Sequence, residues 1–297
     1  MSVRPPGSAE RCPLAISPRR RRTDHVARGL MGACCVVAVI PLALVVFYLL
    51  KKGLGAWNGT FFGADPNGNF LGNPGGVKSA IFGTIEMVGL ASAIAIPIGI
   101  GVALYLTEFG QGKRFADLVR YFVDVMTGVP SIVFGLFIYL ALVITQTGGY
   151  FAAGWKGSIA LALLMLPVVI RSGEVVLLLV PGALREAALA LGSPRWRVVA
   201  RIVLPAAIPG LVTGALLAVA RAAGETAPLL FTAQSQMGTT FNLSSQMNSL
   251  PLQIFSDVQQ AQPRFQERAW GAALALVLMI LIVNLSARFV SRRSRLA

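Results

Sequence analysis

The 297-residue sequence is poor in the residue types from which most active sites are built. It holds one histidine, His25, set among arginines, and three cysteines, Cys12, Cys34 and Cys35. A single imidazole assembles neither a Ser/His/Asp set nor a metal cluster. The cysteines lack metal-ligand spacing, and so few thiols make no framework of bridges. Cys34 and Cys35 lie inside an apolar run and read as small apolar fillers. No apolar stretch precedes Cys34, which excludes a lipoprotein cleavage site there. A Gly-x-x-x-x-Gly-Lys-Ser/Thr run is also missing. The nearest fragment, Gly110-Gln111-Gly112-Lys113-Arg114, has neither the spacing nor the hydroxyl, so the chain binds no nucleotide through a P-loop. Charge is scarce: 13% of residues are charged, against roughly 25% in soluble proteins. What charge there is leans to one sign, with 26 basic and 12 acidic residues.

Apolar residues, by contrast, make up 55% of the chain, and the mean hydropathy is +0.70. A chain this apolar could not cover its own surface in water, and lipid is the simpler solvent. Six apolar runs stand out, at 30–50, 79–106, 121–144, 158–180, 207–230 and 269–289. Each approaches the ~20 residues needed to cross ~30 Å of hydrocarbon. The pattern predicts an all-α integral membrane protein of six transmembrane helices. The first run is too long for the apolar part of a signal peptide and has no small-x-small pattern after it, so it is read as retained. The expected organisation is a disordered basic cytoplasmic tail over 1–28, a first transmembrane helix and external loop over 29–70, a five-helix core over 71–290, and a second cytoplasmic tail over 291–297.

The net charge of +14 raises the possibility of nucleic acid as a partner. The basic residues do not fit it: they fall in short segments beside the apolar runs instead of along one face of a domain. They read as topology signals. Lys113, Arg114 and Arg120, then Arg185, Arg195, Arg197 and Arg201, then Arg288, Arg292, Arg293 and Arg295 share a side with the arginines of the N-terminal tail. The other side holds only Lys51, Lys52, Lys78, Lys156, Arg264 and Arg268. Both termini are therefore expected in the cytoplasm, and the number of spans even. Pro41, Pro97, Pro130, Pro167 and Pro228 interrupt the runs, as do Gly128 and Gly135. Kinked helices with small residues pack closely and leave a shaped cavity, which favours a transport path over a simple anchor.

Ionisable groups at membrane depth cost about 2.5–3.5 kcal/mol each on the insertion scale. Five survive inside the runs: Glu86, Arg171, Glu174, Arg221 and Glu225. Arg171 and Glu174 are three apart and Arg221 and Glu225 four apart, so each pair shares a helix face. Arginine offers a planar fork of donors that suits an oxyanion. Glutamate accepts hydrogen bonds. An oxyanion that keeps a proton near neutral pH both accepts and donates, so a path with both residue types suits it better than an oxyanion with no proton to give. The alternative is that each pair neutralises itself and pins helices together. Glu86 has no basic partner nearby in sequence.

The segment from Pro181 to Pro205 is distinctive. Residues 183–191 are strong helix formers. Gly192 is placed to end that helix in a left-handed conformation, with Ser193 as N-cap and Pro194 in the first turn of a second helix. A soluble DNA-binding helix-turn-helix is excluded because membrane runs abut both ends. A short, smooth, Ala-rich helix suits a groove on a partner.

Glu186-Ala187-Ala188, then Gly192, then Ile202-x-Leu204-Pro205 resembles the EAA motif of the permease subunits of bacterial ABC importers. Gly83-Thr84 resembles the start of that family's core, and two further stretches, Gly128-Val129-Pro130-Ser131 through Leu136 and Gly224-Glu225-Thr226-Ala227-Pro228, are similar to the PstA-type permeases of phosphate importers. The resemblance covers roughly residues 70–290. It implies a MetI-like permease fold and a cytoplasmic coupling helix that docks on an ATP-hydrolysing subunit. It also implies transport roles for Arg171, Glu174 and Arg221, and less weight for Glu225. The implied partners are two ATP-binding subunits, a PstC-type sister permease, an external phosphate-binding protein, inorganic phosphate and the bilayer. The chain itself would be a non-catalytic inner-membrane subunit without a cofactor, the ATP being used by its partner. The same architecture with another cargo, or an ATP-independent secondary transporter, are the competing readings.

Overall fold

In lipid a chain can satisfy its backbone polar groups only by closing them within helices or a barrel. The computed structural model describes residues 18–69, 72, 74–145 and 152–293, and these take the helical solution, with one isolated bridge, Pro66–Gly75, in a loop. Among them, five helices are long and apolar enough to cross a membrane, or six if one bent pair counts as a single span.

The chain divides into two units, 1–48 and 49–297. The first consists of most of α1, Pro18–Ala56, a single 39-residue helix about 58 Å long. It begins well before the expected boundary at 29. Proline fits the first turn of a helix and the four arginines after it are good helix formers, so nothing stops the helix from running into the basic segment. The rest of the expected disordered tail, 1–17, lies outside the described residues, as does the end of the second tail, 294–297.

The second unit is built around three helices: α3, Lys78–Leu104; α6, Gly154–Leu178; and α9, Leu204–Ala223. Small residues let them approach. A Cβ on Gly210 would lie 2.5 Å from Val176 Cγ1, and one on Gly214 would lie 2.3 Å from Ser172 Oγ. One cluster joins Met87, Ala91 and Ala95 of α3 to Leu161 and Met165 of α6 and to Ala218 and Ala222 of α9. The last helix, α12, spans Pro263–Arg293.

Three expectations need correction. The third span is not one helix. It is α4, Arg114–Gly128, and α5, Ser131–Ile138, which continues as a wide π-type turn to Val143, and the two parts meet at 104°. Val129 precedes a proline and is extended (ψ 131°), because the ring of Pro130 disfavours helical backbone before it. The fifth span is shifted. It starts at Arg195 as α8, Arg195–Val198, passes through a π-type turn at Val199–Val203 just ahead of Pro205, and ends at Ala223 instead of 230. Gly224, Glu225 and Thr226 form a break before a short helix, α10, Ala227–Thr232. The polar stretch 233–268 is not only loop: it contains α11, Leu250–Val258, and the first turns of α12. In the loop after α1, the one-turn helix α2, Gly59–Gly63, is capped by the side chain of Asn58.

The stretches that carried the family resemblance are close-packing points. A Cβ on Gly83 would fall 2.1 Å from Asn248 O. One residue on, Thr84 Oγ1 accepts from Leu250 N at 2.8 Å, which seats the start of α11 on α3. A Cβ on Gly135 of α5 would fall 2.5 Å from Pro228 Cα of α10, so two of the quoted stretches touch. Overpacking of this kind costs about 1–3 kcal/mol. Gly83→Val is therefore expected to lower the unfolding temperature of the purified protein in detergent. Gly101→Ala, where nothing lies within 4 Å of a new Cβ, is expected to leave it unchanged or slightly raised.

Candidate functional site

The helix-face argument for Arg171 and Glu174 holds in the structure. Arg171 Nη1 donates to Glu174 Oε2 at 2.8 Å. The pair is part of a larger cluster. Arg120 of α4 donates through Nε to Glu174 Oε1 at 2.8 Å and through Nη2 to Leu106 O at 3.0 Å. Asp124 of α4 receives Arg171 Nη2, and Asp117 lies 3.4 Å from Arg120 Nη1. Glu174 is the enclosed member, its side chain 9% exposed, while both arginines are about one-third exposed. Burial of a carboxylate is tolerable only with such partners. Arg120 and Arg171 are balanced by Glu174 and Asp124, so the cluster is charge-neutral apart from the outlying Asp117.

Sequence reasoning assigned Arg120 to a loop as a topology signal and left Asp117 and Asp124 out. A signal was available. Positions 117, 120 and 124 repeat at helical spacing within an otherwise largely apolar stretch, which marks one charged face on α4.

Arg221 and Glu225 stand closest at 3.9 Å, too far for a hydrogen bond, and Arg221 is half exposed. The structure does not bring this pair to the first. α6 and α9 run antiparallel with Gly210 beside Val176 and Gly214 beside Ser172. The same register sets Arg221 level with Met165, about 9 Å along the axis from Arg171. One pair therefore sits near the middle of α6 and the other nearer its C-terminal end. Arg171 also borders a cleft of about 860 Å³ between α6, α9 and α12, which Glu174, Arg221 and Glu225 do not line. Glu86, unexplained by the sequence, has its Oε2 buried without a hydrogen-bond partner among the described residues.

At the C-terminal end of α6 the chain makes the expected helix-turn-helix. The first helix, α7, is Gly182–Ala190. Gly192 has φ +79°, the left-handed conformation that glycine adopts without penalty. Ser193 does not cap the next helix: Pro194 occupies that position, and no side chain caps it. Pro194 has its ring nitrogen where a cap would need no donor, while Ser193 N donates back to Ala188 O at 3.2 Å.

The motif residues divide between two faces. Ala188 is buried with Leu177, Val180, Val198 and Val203, and Ile202 and Leu204 pack against the same cluster. Glu186 and Ala187 are exposed. So are the large apolar side chains Leu184, Leu189 and Leu191, the last at 88%. Arg185 is not paired with its neighbour Glu186. It donates through Nη1 to Val180 O and through Nη2 to Leu177 O, both at 2.8 Å, and meets Glu108 Oε1 at 2.9 Å. Leu177 O belongs to the last turn of α6, where helices leave acceptors unsatisfied, and Val180 O to the turn that follows it. Glu108 lies in the π-type turn Tyr105–Phe109 that ends α3. A single guanidinium thus ties α7 to α6 and α3 together.

Comparison with known proteins gives the fold its family. The family described as binding-protein-dependent transport system inner membrane component matches residues 95–296. Phosphate transport system permease protein PstA 1 of Mycobacterium tuberculosis (strain ATCC 25618 / H37Rv) is 39% identical over 293 residues, covering 95% of this chain and 92% of that protein. The PstA protein of Yersinia pestis is 38% identical over 277 residues, covering 93% and 92%. Among solved structures, a chain of a bacterial alginate ABC transporter superposes with a TM-score of 0.65 at 16% identity, over 92% of this chain and 96% of that one. A chain of the MetNI methionine ABC transporter does so at 0.59 and 18%, over 72% and 94%. The structures show the MetI-like fold; the sequences show the lineage. The chain belongs to the family of binding-protein-dependent transport system inner membrane components, and within it to the PstA permeases.

Proposed function

We propose that the chain is the passage-forming subunit of an ATP-driven importer of inorganic phosphate. It works with a PstC-type sister permease, two ATP-binding subunits and an external phosphate-binding protein. Both termini face the cytoplasm of a bacterial inner membrane. The subunit carries no cofactor and catalyses nothing itself; ATP is used by its partners.

The observation that carries this reading is α7. It presents exposed leucines at one end of the bundle and is fixed by Arg185 to the ends of α6 and α3. Exposed apolar side chains on a short helix are what a groove on a partner would cover. When the ATP-binding subunits close, α7 moves, and the Arg185 ties pass that displacement to α6, which carries Arg171 and Glu174. The paired arginines and glutamates then change the side on which an anion is met. Two separated charged levels, at Arg221 and at Arg171, give the anion successive contacts.

Affinity capture of the chain from its native membrane is expected to bring down an ATP-binding protein and a sister permease. Vesicles containing the captured complex are expected to accumulate phosphate only with ATP inside and the external binding protein outside. Accumulation without any ATPase would overturn the reading in favour of a secondary transporter.

A further inference from the structure

We propose that Arg288 of α12, with Asn284 one turn before it, forms a binding place for a phosphate-class oxyanion in the cleft between α6, α9 and α12. The sequence had assigned Arg288 to topology alone. The cleft measures about 860 Å³ and its wall holds two arginines, Arg171 and Arg288, and no acidic residue. Liquid water occupies about 30 Å³ per molecule, so a small anion enters this space with much of its hydration. Arg171 is already compensated by Glu174 and Asp124. Arg288 makes no ion pair among the described residues. Asn284 lies four residues earlier on the same face, and its amide makes no hydrogen bond among the described residues.

The remaining polar groups of the wall are suited to a protonated anion. Thr213 Oγ1 already donates to Pro209 O at 2.8 Å, and Ser172 Oγ to Val169 O at 3.2 Å. With their protons committed, both oxygens are left as acceptors. A guanidinium fork and an amide donate, and two hydroxyl oxygens accept. Phosphate carrying a proton satisfies both sets; sulphate satisfies only the donors. Position supports the same assignment. Arg288 is in the last two turns of α12, and the cleft runs beside Val175 and Val176 near the end of α6 that carries α7. It would be met after Arg221 by an anion travelling toward α7. This inference rests on the reading of the chain as an anion path.

The test uses the whole complex in vesicles, in a background where Cys12, Cys34 and Cys35 are serine. A cysteine replacing Leu285, on the cleft wall, reports access through its rate of alkylation by a small uncharged maleimide. Two arms separate the sources of the phosphate group. In phosphatidylcholine vesicles, millimolar inorganic phosphate is added. In phosphatidylglycerol vesicles, none is added. Slowing in the first arm assigns the site to free phosphate, and slowing in the second to a lipid headgroup. In either case Arg288→Gln is expected to abolish it. No slowing in either arm, or slowing that survives Arg288→Gln, overturns the proposal.

Phosphate uptake supplies the second readout. Arg288→Gln and Arg288→Lys are both expected to reduce uptake about tenfold, since lysine keeps the charge but not the planar fork. Uptake at the unaltered level in both variants overturns a role in transport. The two failures are distinguishable. An unaltered complex that takes up no phosphate while Leu285→Cys is still protected defeats the importer reading alone. Normal phosphate uptake without protection defeats the Arg288 site alone.

Discussion

Replacing Arg185 by alanine is expected to abolish phosphate accumulation while leaving ATP hydrolysis running. Arg185 makes charge-assisted bonds to Leu177 O, Val180 O and Glu108. Hydrogen bonds to charged groups contribute about 1.5–3 kcal/mol each. Alanine loses all of them and leaves the Glu108 carboxylate, 12% exposed, without its cation. Breaking an enclosed pair from one side typically costs about 3–5 kcal/mol. Arg185 is one-quarter exposed, so the lower part of that range applies. Each 1.4 kcal/mol is a factor of ten in an equilibrium, enough to detach α7 from α6 in most molecules. The exposed leucines of α7 are untouched, so the ATP-binding subunits still dock. The measurement is the ratio of phosphate accumulated to ATP consumed in vesicles, with assembly read by copurification. The ratio is expected to fall by at least tenfold. Arg185→Lys, which can reach one partner but not three, is expected to fall between. An unchanged ratio in the alanine variant would show that displacement reaches α6 by another route.

How far the sequence foretold this arrangement depends on the range of the interaction involved. The Gly192 turn and the extent of α7 were legible because helix propensity and a left-handed glycine are encoded within a few residues, whereas the cap expected of Ser193 is not made. The spans at 79–106 and 158–180 were legible for the same reason: length and hydropathy fix them locally. The 104° bend was signalled by Gly128 and Pro130, although the apolar run across them read as one span. Long-range pairing was not legible. Glu108 and Arg185 are 77 positions apart and Arg120 and Glu174 are 54 apart, and no periodicity links them. Arg171 and Glu174 were found because three residues is one helix turn. The same rule found Arg221 and Glu225, yet only the first pair closes to 2.8 Å. Shared face is necessary for an ion pair and does not bring the charged atoms together.

The cluster around Glu174 yields the other large effect. Glu174→Ala is expected to lower the unfolding temperature of the complex and to abolish uptake, because Arg120 and Arg171 would face each other with only the exposed Asp124 and Asp117 left nearby. That result alone does not separate a substrate contact from a pin between α4 and α6. Glu174→Gln does. Glutamine keeps the shape and can still accept a bond, so folding is expected to survive with a modest loss of stability. Its carboxamide has a single accepting oxygen, and both carboxylate oxygens are in use. Phosphate uptake is expected to drop about tenfold, as for the loss of one charge-assisted bond. Unchanged phosphate uptake in this variant would end the substrate role of Glu174. The double change Arg171→Gln with Glu174→Gln gives the converse. Removing both partners of an enclosed pair costs far less than removing one, so stability is expected to recover. Uptake is expected to stay low, since the cleft wall has then lost one of its two guanidinium groups. Recovery of uptake along with stability would assign both residues to packing and place the anion's inner contacts elsewhere on the cleft wall.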